Sequence, residues 1–300
     1  MLLRRLEYLI ALEREGHFGR AAESCHLSQS ALSSAIKKLE AELGVPIVRR
    51  GQRYEGLTPE GLEVLAWARR TLAEQAALAQ RLSALQSGLT GTLRLGVIPT
   101  ALPAVSRLTA PLRESHPDLR FEIRSMSARR IVAELDAFSI DAGMTYLGDG
   151  LAGLRTVPLY EERYLLLAPR RDSPAEAVPA APATWADVAG APLCLLTGEM
   201  QNRRIIEAEL AAAGVSPHVV VETDSVSGVY DHLAPLGLAS IVPHAWLASH
   251  GLPDGYDARP LPRAADPSPV GLVLSGSGPD PLVVQALLGV ARDQDLARTL

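Results

Sequence analysis

At roughly 150 residues per domain, the 300 residues of this chain suffice for about two domains. Hydrophobic residues make up 47% and charged residues 21%, so the chain can bury sizeable cores, which excludes a disordered polymer. The net charge of −5, taken for the whole chain, argues against a nucleic-acid-binding protein, whose DNA-binding domain is normally basic.

The N-terminal segment and the cysteines predict a soluble, cytoplasmic protein. Charged residues interrupt the apolar residues of 1–16, so this segment is not a secretory signal, and no apolar run approaches the roughly 18 residues that span a bilayer. Cys25 and Cys194 are far apart and form no CxxC pair, so we expect neither a disulfide framework nor a thiol metal site. The histidines show no metal-ligand spacing, and we expect no metal and no cofactor.

Residues 1–58 predict three short helices followed by a small β-hairpin. The second helix is predicted at 18–24, and Ser28 is the expected N-cap of a third helix that ends near Leu43, before Gly44. The first helix has an apolar stripe and ends near Gly16; the stripe consists of Leu3, Leu6, Leu9, Ile10 and Leu12.

The third helix has two distinct faces. Its apolar positions recur at spacings of 4, 3 and 4 and predict a core-facing side; they are Leu32, Ile36, Leu39 and Leu43. The other side carries the polar residues Gln29, Ser30, Ser33, Ser34, Lys37 and Lys38. Glutamine can pair with adenine, hydroxyls reach base edges or phosphates, and lysine binds phosphate, so this side suits a major groove. An ordinary solvated face is the alternative.

A basic hairpin follows this helix. Ile47 and Val48 predict a short strand, RRGQRYEG a basic turn, and Leu57 the return strand. Such a wing would place three arginines near the phosphate backbone, namely Arg49, Arg50 and Arg53. Charge is unevenly distributed, since residues 1–90 carry +2, residues 91–300 carry −7, and 28–53 alone carry +3. The overall acidity therefore does not exclude DNA binding by the N-terminal part.

The stretch FGRAAESCHLSQSALSSAIKKLEAELGVPIVRR, with the later LTPEG, resembles the N-terminal domain of the LysR-type transcriptional regulators. The likeness continues through GLTGTLRLGV and covers essentially the whole chain. It implies a winged helix-turn-helix domain at 1–58, a linker helix at 59–88 and an effector-binding domain at 89–300. Ser30 replaces the family's usual proline, and Ser34 replaces a common basic residue, which removes one expected DNA contact.

The linker helix is too apolar to stand alone in solvent. Thr58 is its expected N-cap, with Pro59 in the first turn. Its leucines predict burial against the same helix of a second subunit; they are Leu62, Leu65, Leu72, Leu78, Leu82 and Leu85. Packing on its own effector domain is the alternative. The resemblance favours the subunit contact and implies a homodimer or homotetramer that binds inverted repeats in promoter DNA.

From Thr92 onward, strand and helix patterns alternate, which predicts an α/β fold with a largely parallel sheet. The clearest predicted strands are 93–97, 121–125, 142–145, 193–196, 219–222 and 238–242. The resemblance implies two lobes similar to periplasmic binding proteins. Lobe I covers about 92–163 and 270–300, and lobe II covers about 164–269.

A small ligand is expected in the cleft between these lobes, where strands end and helices begin. The candidate contacts are Thr100, Ala101, Ser125, Ser127, Thr145, Thr197, Met200, Gln201, Asp224 and Ser225. Hydroxyl and amide groups at helix starts favour a small anion such as a carboxylate, since free N–H groups add to them. Simple helix capping is the alternative for each hydroxyl.

These patterns predict a ligand-responsive, sequence-specific DNA-binding transcription regulator. A small-molecule binding protein whose N-terminal helices serve only assembly is the competing hypothesis. An enzyme is not expected: Ser34 and Lys37 match S-x-x-K, but the S-D-N and K-T-G companions of acylating serine enzymes are absent. The sequence also contains no P-loop, HExxH or GxSxG motif.

Overall fold

The computed structural model of the chain separates into two compact units, Met1–Gly88 and Leu89–Leu300. The residues that it describes are 2–49, 54–148, 150–170, 181–263, 269–276 and 280–296. Within these residues, no helix combines the length and the apolar character that crossing a membrane requires.

The described part of the first unit is helical. Its helices are α1 (Leu2–Glu15), α2 (Phe18–Ser24), α3 (Gln29–Leu43) and α4 (Pro59–Ser87). One side of each helix contributes to a common core, which includes Leu6, Leu9, Leu12, Ala21, Leu32, Ile36, Leu39 and Leu65. The predicted stripes of α1 and α3 lie in or against this core, except for Leu3 of α1, which is 36% exposed.

Local hydrogen bonds fix where α3 begins and ends. Ser28 Oγ accepts a hydrogen bond from the Ala31 N–H at 3.2 Å, which caps the first turn. Gly44 ends the helix with a φ of +72°, a left-handed conformation in which glycine avoids the strain of a side chain. Both termini lie where the sequence predicts them.

The start of α4 lies directly against the strand that follows α3. Thr58 Oγ1 accepts a hydrogen bond from the Gly61 N–H at 2.9 Å and donates to the Pro46 carbonyl oxygen at 2.6 Å. A Cβ atom at Gly61 would lie only 2.1 Å from the Ile47 carbonyl oxygen. Glycine is therefore required at this position of the LTPEG segment by close backbone approach.

The first lobe of the second unit is a five-stranded sheet in the order β2-β1-β3-β10-β4. Its strands are β1 (Gly91–Val97), β2 (Leu119–Ser125), β3 (Ala142–Tyr146), β4 (Leu154–Glu161) and β10 (Pro269–Ser275). The helices that accompany them are α5 (Leu102–Ser115), α6 (Ala128–Asp136) and α10 (Leu282–Asp293).

The second lobe is built from the chain between β4 and β10. It contains the strands β5 (Tyr164–Pro169), β6 (Pro192–Leu196), β7 (His218–Thr223), β8 (Ser240–Pro243) and β9 (Tyr256–Pro260). Its helices are α7 (Gln201–Ala212), α8 (Val226–Leu236) and α9 (His244–His250). The β8-β5-β9 sheet and the β6-β7 pair are joined by a bridge between Leu193 and Ala239.

The predicted α/β class is confirmed, but a largely parallel sheet is wrong. Strands β1, β2 and β3 are parallel, as is the β6-β7 pair, whereas β10 is antiparallel to β3 and β4. Strand β5 is antiparallel to β8 and β9. The reason is that the chain crosses between the lobes twice. Parallel neighbours are joined by helical crossovers within one lobe, whereas strands next to a crossing between the lobes are antiparallel to their neighbours.

Candidate nucleic-acid interface and ligand cleft

Helix α3 separates an apolar face from a polar one. Leu32, Ile36 and Leu39 are buried in the core of the first unit. The six polar residues predicted to contact DNA lie outside this core: Ser33 is half-buried, and Gln29, Ser30, Ser34, Lys37 and Lys38 are exposed. Their side chains are thus available to a partner.

A concave surface, here named the α3 hollow, lies between α3, the start of α2 and the hairpin. From α3 it takes Gln29, Ser33 and Lys37, and from the hairpin it takes Arg49. The other three predicted α3 residues, Ser30, Ser34 and Lys38, are not among its lining residues. Arg50 and Arg53 lie outside the described residues.

Glu40 is the acidic residue that lines the α3 hollow, and its carboxylate is engaged within the protein. Oε1 accepts hydrogen bonds from the backbone N–H groups of Ile47 at 2.8 Å and Val48 at 3.1 Å. The carboxylate thereby fastens the strand after α3 to the helix itself. Sequence reasoning missed this role, because a contact across the Gly44 turn leaves no periodic signal.

The described part of the hairpin shows how its two strands meet. Val48 and Leu57 form an antiparallel bridge, and the Arg49 N–H donates to the Gly56 carbonyl oxygen at 3.0 Å. The Arg49 side chain also donates, from Nε, to the Leu57 carbonyl oxygen at 3.0 Å. Arg49 therefore supports the hairpin as well as adding charge to the α3 hollow.

Three aromatic side chains, His17, Phe18 and Tyr54, also line the α3 hollow. His17 is the N-cap of α2, and its Nδ1 accepts a hydrogen bond from the Gly19 N–H at 3.0 Å. Tyr54 packs edge-on against Phe18 with ring centroids 6.2 Å apart, which joins the hairpin to α2. Burial raises the pKa of Tyr54, and the nearby Glu13 carboxylate raises it further. The phenol therefore remains a neutral hydrogen-bonding group.

The leucines of α4 fall into two groups. Leu65 is only 4% exposed and lies in the core of the first unit, and Leu72 is half-buried against that core, so Leu65 is unavailable to a second subunit. Leu62, Leu78 and Leu82 are 56%, 58% and 56% exposed. The side chain of Leu85 lies outside the described residues. The predicted partner-facing set is thus corrected by removing Leu65, because four α-helices share one core around its side chain.

A narrow cleft opens between the two lobes of the second unit. It is lined by Ile98, Pro99, Thr100, Ser127, Ala128, Tyr146, Leu196, Met200, Gln201 and Asn202. The space between its walls holds about one water molecule. The fold therefore brings together four of the predicted ligand contacts, namely Thr100, Ser127, Met200 and Gln201.

The other six predicted contacts do not line this cleft. Ala101 and Thr145 are fully buried, Thr197 is half-buried, and Ser125 and Asp224 are exposed; none of these five is among the lining residues of the cleft. Ser225 is the N-cap of α8, and its Oγ accepts a hydrogen bond from the Gly228 N–H at 3.1 Å. Of the turns predicted to supply contacts, the segment after β1 and the starts of α6 and α7 contribute lining residues to the cleft.

A buried carboxylate lies directly behind the cleft. Glu162 is 6% exposed and stands between β4 and β5, where the chain passes from one lobe to the other. The hydroxyl groups of Tyr146 and Tyr164 both donate to its Oε2, the latter at 2.9 Å. Thr100 Oγ1 lies 3.2 Å from the Tyr146 hydroxyl. The carboxylate thus links residues of both lobes.

Burial raises the pKa of Glu162 to about 7. The hydrogen bonds from Tyr146 and Tyr164 favour the charged form and oppose this rise in pKa. The amide of Asn202 lies near enough to oppose this rise, although its Nδ2 forms no well-aligned hydrogen bond with a described residue. Sequence reasoning missed Glu162. The signal available was a glutamate between Tyr160 and Tyr164 where the chain was expected to change lobes.

A helix-turn-helix unit connected by a long helix to a two-lobed α/β unit defines a class of bacterial regulators. The chain belongs to the LysR family of that class. Residues 3–62 match the family described as "Bacterial regulatory helix-turn-helix protein, lysR family", and residues 86–295 match "LysR substrate binding domain".

Among individual relatives, the chain is 36% identical over 200 residues to the DNA-binding transcriptional dual regulator OxyR of Escherichia coli K12. That match covers 65% of this chain and 64% of the relative, so it spans less than two thirds of the E. coli protein. It is also similar, at 36% identity over 165 residues, to a probable hydrogen peroxide-inducible genes activator of Mycobacterium xenopi; that match covers 55% of this chain and 87% of the relative. These named relatives are transcriptional regulators and not enzymes.

Solved structures extend the likeness to the full length. A full-length cysteine-to-aspartate variant of OxyR from Pseudomonas aeruginosa superposes with a TM-score of 0.74 at 28% identity, covering 100% of this chain and 97% of that one. Full-length CbnR in complex with its target DNA gives a TM-score of 0.65 at 21% identity, covering 100% of both chains, which shows a shared fold.

Proposed function

We propose that this protein is a ligand-responsive transcription regulator that binds specific promoter sequences through α3. The observation that carries the proposal is the α3 hollow, in which Gln29, Ser33 and Lys37 stand together with Arg49. The carboxylate that lines the hollow, Glu40, is occupied by two backbone N–H groups. Donors and acceptors suited to base edges are thus combined with positive charge suited to phosphate.

Two such units would read an interrupted inverted repeat. The exposed leucines of α4, Leu62, Leu78 and Leu82, give a second subunit an apolar surface to cover. A two-fold axis along α4 would present two copies of α3 to half-sites about one helical turn of DNA apart. We propose a homodimer as the minimal DNA-binding form, with a homotetramer as its larger assembly, in the cytoplasm where promoter DNA is accessible.

The signal in this proposal is a ligand in the cleft between the lobes. Because the cleft has room for about one water molecule, a larger ligand enters only if the lobes separate. A ligand that binds the separated lobes more tightly shifts the population towards that form. Coupling to transcription requires that the two forms differ in how they hold the paired α3 helices on DNA.

A thiol-based response to peroxide is the second candidate, because several relatives are named hydrogen peroxide-inducible genes activators. Peroxide reacts with an accessible thiolate. In this chain the cysteine of the second unit, Cys194, is completely buried in β6, and burial raises the pKa of its thiol. The other cysteine, Cys25, belongs to the first unit. These features favour a bound ligand over oxidation as the signal.

The experiment that tests DNA binding is fluorescence anisotropy of the full-length protein with DNA flanking its own gene, against a scrambled duplex of equal length. We expect preference for the flanking DNA and protection of an inverted repeat in a footprint. A protein that only binds small molecules would show no preference between the duplexes.

Peroxide is tested separately by counting free thiols after exposure of the native protein to hydrogen peroxide, and by repeating the DNA titration. We expect Cys194 to stay reduced and the DNA affinity to stay the same in wild type and in Cys194→Ala. Loss of the thiol, with a change of DNA affinity that the variant does not show, would favour the peroxide response instead.

A further inference from the structure

The imidazole of His17 has one nitrogen committed to the fold. Nδ1 accepts hydrogen bonds from the backbone N–H groups of Gly19 at 3.0 Å and Arg20 at 3.4 Å, which caps α2. An imidazole nitrogen that accepts a hydrogen bond carries no proton, and in a neutral ring the proton is then on the other nitrogen. The cap therefore makes His17 the Nε2–H tautomer and leaves it one donor.

The ring of His17 is also held in place. A Cβ atom on Gly19 would lie 3.0 Å from Cε1 and 3.1 Å from Nδ1 of His17, so the imidazole lies directly over the glycine backbone. The same Cβ position is 3.7 Å from Oε1 of Gln29, which places the start of α3 beside the ring. A donor held in this way loses little conformational freedom when it binds a partner.

The Nε2–H group is available to a molecule outside the chain. His17 is exposed and lines the α3 hollow together with Lys37 and Arg49. Its two hydrogen bonds both involve Nδ1, and Nε2 makes none with a residue that the structure describes. The free donor thus belongs to a surface that also carries positive charge.

The place of His17 in the helix-turn-helix indicates which part of DNA it meets. In this motif the first residues of the recognition helix reach base edges, whereas the preceding helix crosses the DNA backbone. Gln29 is the first residue of α3, and His17 is the N-cap of the preceding helix, α2. A donor at the start of α2 therefore suits a phosphate oxygen, and Gln29 beside it suits a base edge.

We propose that His17 donates a hydrogen bond from Nε2 to a DNA phosphate, as a neutral contact beside the cationic side chains of Lys37 and Arg49. The proposal rests on the proposed binding of DNA through α3. Because the N–H groups of Gly19 and Arg20 donate to the same ring, the chain of hydrogen bonds polarises the imidazole and strengthens its bond to an anion. His17 thus combines the capping of α2 with a contact to DNA.

Variants separate the phosphate contact from the cap. Serine is a strong N-cap residue, so His17→Ser keeps the cap and removes the Nε2 donor, whereas His17→Ala removes both. We expect His17→Ser to keep the urea midpoint of wild type and to bind the flanking duplex about tenfold more weakly or worse, since the lost hydrogen bond is to a charged group. We expect His17→Ala to lower the urea midpoint as well. An unchanged DNA affinity in His17→Ser would overturn the proposal.

The matched control is His26→Asn, the replacement of a second histidine of the first unit. His26 is exposed and is not among the lining residues of the α3 hollow. Its φ of +55° is left-handed, a conformation that asparagine tolerates better than most residues. We expect His26→Asn to bind DNA as wild type does. A loss equal to that of His17→Ser would overturn a contact specific to the hollow.

Salt dependence distinguishes a neutral donor from a cation, because only a cation releases counterions from DNA. In anisotropy titrations at pH 8, we expect His17→Ser to lower the affinity by the same factor at every salt concentration. The slope of log affinity against log salt is then that of wild type, whereas Lys37→Ala reduces it. A reduced slope in His17→Ser would overturn the neutral contact.

Replacement of single phosphates identifies the partner of His17. Phosphates of the flanking duplex are changed one at a time to uncharged methylphosphonate, and each duplex is titrated with wild type and with His17→Ser. We expect a phosphate in each half-site at which the replacement weakens binding by wild type more than binding by His17→Ser, as coupled groups require. Equal effects on the two proteins at every phosphate would overturn the contact.

The scrambled duplex separates this contact from the proposed regulator function. Equal affinity of wild type for the flanking and scrambled duplexes would contradict sequence-specific regulation. The loss in His17→Ser would still be measured in that case, since a phosphate contact weakens binding to all sequences. Sequence preference with no loss in His17→Ser would contradict the phosphate contact alone. No binding to either duplex would contradict both.

Discussion

The Glu40 carboxylate accepts a hydrogen bond from the backbone N–H of Ile47 at 2.8 Å, and this contact joins α3 to the first strand of the hairpin. The same oxygen accepts from the Val48 N–H at 3.1 Å. Because the two elements are separated by the Gly44 turn, the carboxylate fixes their relative position. The shape of the α3 hollow therefore depends on a residue that need not touch DNA.

Replacing Glu40 with alanine leaves two backbone donors without their acceptor. We expect a loss of roughly 1–3 kcal/mol in the unfolding free energy of the first unit and weaker DNA binding. Glu42→Ala is the matched control, since Glu42 is 46% exposed and forms a surface ion pair with Arg5, worth at most about 1 kcal/mol. Equal losses in the two variants, measured by urea denaturation, would contradict the structural role of Glu40.

The adjacent lysines of α3 provide a sharp comparison within one helix. Lys37 lines the α3 hollow, whereas Lys38 is exposed on the neighbouring side. We expect Lys37→Ala to weaken DNA binding more than Lys38→Ala, and to reduce the slope of log affinity against log salt by about 1. The measurement is anisotropy at several salt concentrations. A larger effect from Lys38 would mean that α3 meets DNA through its other side.

Sequence reasoning succeeds where periodicity and local chemistry determine structure. The stripe of Leu32, Ile36 and Leu39, the Ser28 cap and the Gly44 stop are local, and each is observed where it is predicted.

Contacts across long sequence separations account for what was missed. The Glu40 hydrogen bonds cross a turn, and the cluster around Glu162 joins residues from Thr100 to Asn202 across both lobes. The burial of Leu65 also depends on contacts that are distant in sequence. The spacing of apolar residues along α4 is the same whether they face their own domain or a second subunit. Only the tertiary packing of α1, α3 and α4 decides between the two.

The exposed leucines of α4 make the proposed subunit contact testable. Leu78→Glu and Leu82→Glu introduce charge on side chains that are more than half exposed, so the fold of the chain should tolerate them. We expect the assembly to dissociate, with a fall in the mass measured by sedimentation and a loss of DNA affinity. If both variants keep the mass of the wild type, α4 does not form the contact through these leucines.

Leu65→Ala provides the contrast on the same helix. Its side chain is 4% exposed within the core, so truncation leaves a cavity and we expect a loss of about 2–5 kcal/mol in the unfolding free energy of the first unit. Chemical denaturation measures this loss. The assembly of the remaining folded protein should be unchanged, which separates core packing from subunit contact.

The buried Glu162 carboxylate predicts a pH dependence of stability. Its pKa is raised by burial to about 7 in the folded protein, whereas a solvated glutamate has a value of 4.5. Between these values the folded protein retains a proton that the unfolded chain releases. The contribution of Glu162 to stability therefore falls as pH rises from 4.5 to 7 and then stays constant. The total fall is roughly 3 kcal/mol at about 1.4 kcal/mol for each pKa unit.

Urea denaturation of wild type and Glu162→Gln between pH 5 and pH 8 measures this contribution, because glutamine carries no titrating proton. We expect the variant to gain stability relative to wild type as pH rises, and the difference to level off above pH 7. The other groups around the cluster are common to both proteins; they are Tyr146, Tyr160, Tyr164, Asn202 and His244. Burial lowers the pKa of His244, so its contribution to stability is lost as pH falls below 6.5. This loss occurs in both proteins and therefore cancels in the comparison. A stability difference that is flat across this range would show that Glu162 does not titrate in the folded protein near neutral pH.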